Sequence, residues 1–194
     1  MTATTTFADR LISAWLDAGC DDPDLWSTSP GRRPFAVAAI GLSALETLGA
    51  QATLVPASLS VGTKDAFEFL RGQGAPNLND VLFVHAAGSR EHGLDHPVLS
   101  LGTGILDLAA SQYGTDPVQG EPTITIDRPI WIEDESPERD KTILARDQHE
   151  SFYALTFTGE ELTESQKLIA TIEFKRHQHV LEKLLEALEG HADR

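Results

Sequence analysis

His96-Pro-Val-Leu-Ser-Leu-Gly-Thr-Gly-Ile-Leu-Asp107-Leu-Ala-Ala-Ser-Gln112-Tyr113-Gly114 is the stretch around which the rest of the chain is arranged. It reads as two short apolar strands joined by a glycine-rich turn, with a histidine entering and an aspartate leaving. Val98, Leu99 and Leu101 precede the turn, and Ile105 and Leu106 follow it. Gly102 and Gly104 supply positions tolerant of positive φ. A hairpin centred on Leu101-Gly102 sets residue 98 opposite 105 and residue 96 opposite 107. Opposed Cβ atoms lie about 4.5–5.5 Å apart, within reach of an imidazole–carboxylate hydrogen bond. A turn centred on Thr103 breaks that pairing.

Upstream, Phe7, Leu11, Ile12, Trp15 and Leu16 carry helical spacing, with Gly19 as the stop. A turn-rich connection runs from Cys20 to Arg33. A second helix starts near Pro34, buries Val37, Ile40, Ala44, Leu45 and Leu48, and ends at Gly49. Strands are expected at Ala52–Val55 and Leu59–Val61 on either side of Pro56, then at Asp80–Val84, Thr123–Ile126, Ile130–Ile132 and Phe152–Phe157. A short helix fits Lys64–Arg71, and charged Glu133–Arg139 fits a boundary or loop. Thr163-Glu-Ser-Gln166 matches a capping box, and apolar spacing from Ile169 to Leu188, interrupted around Arg176, extends it into one long helix over 162–190. That helix is open to projecting from the domain or docking on a partner. The whole is a single α+β domain over 1–194, with N-terminal helices, a central and mostly antiparallel sheet, and a long C-terminal helix.

Composition narrows the function classes. The 194 residues include 30 Asp+Glu against 15 Lys+Arg, a net charge of −15, and 41% are hydrophobic. So acidic a surface repels phosphate backbones and anionic lipid, which excludes nucleic acid and membrane as first partners and suits a protein partner or homo-oligomer. One cysteine permits neither an intrachain disulfide nor a cysteine-rich zinc site. The first residues lack a basic then apolar leader, and no apolar run approaches about 18 residues, so a cytoplasmic protein, or one assembled into a particle, is expected.

Two constellations carry possible chemistry. His85, His92 and His96, with Glu91 and Asp95 among them, offer ligands for a metal-dependent hydrolase. Gly93 and Pro97 argue against the helix that would set His92 and His96 on one face, so no metal or other cofactor is the leading expectation. The second is His96, Asp107 and a nucleophile: a carboxylate that fixes the imidazole tautomer lets the ring take a proton from a thiol. Cys20 is the only thiol, and Ser29 and Ser43 are poorer substitutes. His177 and His179, two apart on the last helix, make a poor metal pair.

Leu45-Glu-Thr-Leu-Gly49-Ala-Gln-Ala-Thr-Leu-Val55, then His96, then Ile105-Leu-Asp107-Leu-Ala-Ala-Ser-Gln112-Tyr113 resembles the transglutaminase-like branch of the papain-type cysteine-protease fold. The resemblance covers roughly residues 30 to 115. It implies His96 as base, Asp107 as its orienter and a nucleophilic cysteine at the start of the core helix. None stands near Arg33, Pro34 or Phe35. The resemblance therefore implies a catalytically inactive or impaired domain acting as a binding or structural subunit, compatible with a phage or other large assembly. An active thiol hydrolase or acyltransferase using Cys20, His96 and Asp107 is the alternative.

Overall fold

The computed structural model describes residues 3–22, 25–26, 33–62, 83–87, 96–113, 126, 128–139, 141–146, 152–157 and 159–192. The expected helix at Lys64–Arg71, most of the strand at Thr123–Ile126, and Ser29, Glu91, His92 and Asp95 lie outside the described residues.

Two helices come first, α1 (Ala3–Asp17) and α2 (Arg33–Thr47). Both end in the same way. Gly19 and Gly49 adopt φ of 64° and 75°, and the following residue's N–H reaches back to Trp15 and Leu45 respectively. These are paired Schellman stops, which need a residue that enters the left-handed region without a Cβ penalty. The sheet follows: β1 (Thr53–Gly62), β2 (Phe83–Ala87), β3 (His96–Ser100), β4 (Gly104–Asp107), β5 (Ile130–Glu133), β6 (Thr142–Arg146) and β7 (Phe152–Phe157). It is antiparallel throughout, in the order β5-β4-β3-β1-β7-β6, with β2 also on β1. Pro56 does not divide β1, which runs through it as one strand and is the sheet's centre. The α+β class expected from sequence holds.

Alternation along the strands separates two cores. On one face, Leu99, Leu101, Leu106 and Leu108 join α1, α2 and the chain's last helix. On the other, Ala57, Leu59, Val61, Val98, Ile105, Tyr153, Leu155 and Phe157 pack on one another within the curl of the sheet.

The expected single C-terminal helix is two: α3 (Glu164–Arg176) and α4 (Gln178–Ala192), broken at His177. The capping box forms, with Gln166 N donating to Thr163 Oγ1 at 3.2 Å and Thr163 N donating to Gln166 Oε1 at 2.6 Å. The break coincides with a buried imidazole. His177 Nδ1 bonds the Glu173 carbonyl at 2.8 Å, and its ring lies 5.1 Å from that of Trp26. Val180, Leu184 and Leu188 then bury α4 in the helical core, so this segment packs on its own domain.

Two glycines give a graded test of packing. A methyl group at Gly104 meets the Trp131 ring and stands 2.6 Å from the Ile132 carbonyl oxygen, part of the neighbouring strand's backbone. One at Gly41 meets only leucine ends, Leu108 Cδ1 and, at 2.9 Å, Leu99 Cδ1. Overpacking against fixed atoms costs about 1–3 kcal/mol, whereas helical alanine regains roughly 1 kcal/mol over glycine. Gly104→Ala is therefore expected to lower the urea midpoint clearly, and Gly41→Ala to shift it little.

Candidate functional site

The turn of the central hairpin fixes what the sequence left conditional. Leu101 N donates to Gly104 O at 3.0 Å, and Gly102 has φ of 79°. The two-residue turn is therefore Gly102-Thr103, with glycine in the first central position as such turns prefer. Leu99 pairs with Leu106 and Ser100 with Ile105. The register thus differs by two residues from a hairpin centred on Leu101-Gly102. A shift of two preserves the face, because side chains alternate with period two. His96 and Asp107 become diagonal rather than opposed, about 7–8 Å between backbones. The imidazole spans that gap.

The result is a buried three-residue network. His96 Nε2 lies 2.5 Å from Asp107 Oδ2. The Tyr153 hydroxyl donates to the same oxygen. Asp107 Oδ1 accepts from Ala109 N at 2.8 Å, an Asx-type bond that turns the chain out of β4. His96 and Tyr153 are fully buried and Asp107 is 2% exposed. Both oxygens of the buried carboxyl group are hydrogen-bonded, the condition under which such a group is tolerated. Within the expected strand Phe152–Phe157, no sequence signal ties Tyr153 to this pair. It lies 46 residues from Asp107, and its alternation with Leu155 and Phe157 marks only a buried strand face.

The nucleophile expected beside this pair does not stand there. His96 and Asp107 share strand parity with Val98 and Ile105, on the curled face. α2 packs against the opposite face through Val37, Ile40 and Ala44. Cys20 belongs to that helical side too, following the α1 Schellman stop among Trp15, Trp26 and Val180. Trp26 Nε1 donates to its carbonyl at 3.2 Å. Burial pushes the thiol up from 9.0 to about 12, against the smaller opposing pull of Lys183. The sheet separates the thiol from the imidazole, and the thiol is protonated at neutral pH. Ser43 lies within α2, on the same side as Cys20.

The metal constellation fares differently by residue. His85 stands on β2, opposite Ser60, instead of in the expected loop. His92 is outside the described residues. Among the described residues no group of three His, Cys, Asp or Glu side chains is placed to hold a metal ion. His177 and His179 have ring centroids 6.0 Å apart, but the first is buried against Trp26 and the second is exposed. Gln112 and Tyr113 fall in the 3-10 turn Ala110–Tyr113 after β4; their side chains are outside the described set. Among the described residues no helix is long and apolar enough to cross a membrane. Comparison with family models, with curated proteins and with solved structures finds no match for the chain.

Proposed function

We propose that this chain is a non-catalytic binding or structural subunit, on a scaffold akin to the transglutaminase-like branch of the papain-type fold, in which the histidine–aspartate pair holds the sheet together. One observation carries the reading. Asp107 Oδ2 is bonded by both His96 and Tyr153 in a site closed to solvent, while the lone thiol lies across the sheet. A general base must reach the proton it abstracts, directly or through one water. Here the imidazole is buried and bonded to Asp107, and the thiol it would activate is held protonated by burial. The acidic surface supports a protein partner over nucleic acid.

The test exposes the folded protein at pH 7.5 to a vinyl sulfone and a fluorophosphonate, with intact mass as the readout. No adduct is expected on the native chain, and none on His96→Gln, which keeps a donor toward Asp107. A native-state adduct that disappears in His96→Gln overturns the proposal and restores a catalytic base.

A further inference from the structure

A groove lies between α2 and α3 over the start of β1. Leu42 and Leu54 on one side and Ala170 and Phe174 on the other line a space of about 430 Å³, within the range of ligand-sized clefts. Its floor joins the small cluster of Phe35, Leu162 and Ala170. Most of the lining is apolar, and its charged members stand at the edge. Glu46 and Lys167 both border the space. Lys167 is already paired with Glu164 at 2.8 Å, and Glu161 acts on the same ammonium. The pairing with Glu164 neutralises Lys167, which leaves the Glu46 carboxylate at the edge of the apolar slot and Glu161 beside the Lys167–Glu164 pair.

We infer that this groove receives an amphipathic helical segment of a basic protein partner, with its apolar side chains in the slot and its lysines or arginines on Glu46, Glu161 and Glu164. Charge selects this occupant. A second copy of the chain brings the same acidic rim and its own net charge of −15, so self-association opposes like charges. A basic amphipathic helix satisfies both features at once, as in helix-in-groove recognition. The inference rests on the binding-subunit reading above and names its partner's chemistry.

The probe is a fluorescent Leu/Lys amphipathic peptide of about 18 residues, five helical turns, titrated against the full chain by anisotropy. A Leu/Glu peptide of the same pattern serves as its counterpart. Saturable binding of the Leu/Lys peptide alone is expected. The double variant Glu46→Lys/Glu161→Lys should weaken it roughly tenfold, the sum of two reversed rim charges. Thr171→Trp, at an exposed rim position, should weaken it similarly by roofing the slot. Glu182→Lys/Glu186→Lys makes the same charge change on exposed α4 positions and should leave binding within about twofold. Equal loss in both double variants would reduce the effect to general charge attraction and overturn the inference. So would equal binding of the Leu/Glu peptide, no binding at all, or a sedimenting dimer that Thr171→Trp dissolves. None of these results touches the adduct test, so the two proposals fail separately.

Discussion

Asp107→Ala is expected to remove about 3–5 kcal/mol of unfolding free energy, the range for breaking one member of a buried polar set. The carboxylate takes three donors, from His96, Tyr153 and the Ala109 amide. Alanine removes all three of these bonds from a buried site. Each buried bond lost costs about 1–3 kcal/mol, and partial relaxation keeps the total below the simple sum. The network also ties strands that are not neighbours. Asp107 is on β4, His96 on β3 and Tyr153 on β7, with β1 between the last two. Along β1, Ala57 pairs with His96 while Val61 pairs with Tyr153, four residues or roughly 13 Å apart. The phenol meets the carboxylate only because the sheet curls. Losing the carboxylate therefore releases the curl and one hairpin together.

Conservative variants separate these contributions. Tyr153→Phe keeps the ring in the core and removes one charge-assisted bond, at about 1.5–3 kcal/mol. Asp107→Asn keeps shape, but its amide nitrogen must face a donor whichever way it is turned, His96 and Tyr153 at one oxygen or the Ala109 amide at the other. It should fall between Tyr153→Phe and Asp107→Ala. Urea unfolding of the three variants, of His96→Gln and of the His96→Gln/Tyr153→Phe double completes a cycle in which the two residues share one acceptor and are coupled. If Asp107→Ala costs less than about 1 kcal/mol, the network does not hold the sheet.

What could be read from sequence was local, and what could not depended on how the sheet bends. Thr163 and Gln166 announce a helix start because both partners of the capping box lie within one turn. Gly19 and Gly49 announce helix ends because left-handed backbone there excludes most other residues. The shared face of His96 and Asp107 followed from period-two alternation, which survives a two-residue slip. The register itself did not follow, since two glycines around Thr103 allow more than one tight turn. Tyr153 needed the curl, which no spacing encodes. The side of the sheet on which α2 packs needed the tertiary core, because the strands around His96 and Asp107 bury both faces. The break at His177 has only a trace in the sequence, the lapse in apolar spacing near Arg176, because it coincides with a ring packed on Trp26, distant in sequence.

Cys20 in the folded chain is expected to react with iodoacetamide at pH 8 about a thousandfold more slowly than an ordinary thiol. Only the thiolate attacks, and moving the thiol from 9.0 to about 12 lowers the thiolate fraction in proportion. The same shift acts on stability. The folded value is raised, so below pH 9 both states hold the proton and the thiol's contribution is fully present. Between pH 9 and 12 the unfolded chain gives up its proton first, and stability falls by about 1.4 kcal/mol per pH unit. By pH 11 the loss attributable to this group is on the order of 2–3 kcal/mol. Cys20→Ala lacks the group and should show a shallower alkaline decline, so the difference between the two unfolding series isolates the thiol from every lysine and tyrosine that titrates alongside it. Parallel series, or alkylation of the native chain at a free-thiol rate, would place Cys20 in contact with solvent. The Trp15–Trp26 stack, with ring centroids 6.1 Å apart, and the Schellman turn before the thiol argue for the opposite. They bury this sulfur in the helical layer as part of the core, leaving His96 and Asp107 without a thiol to activate.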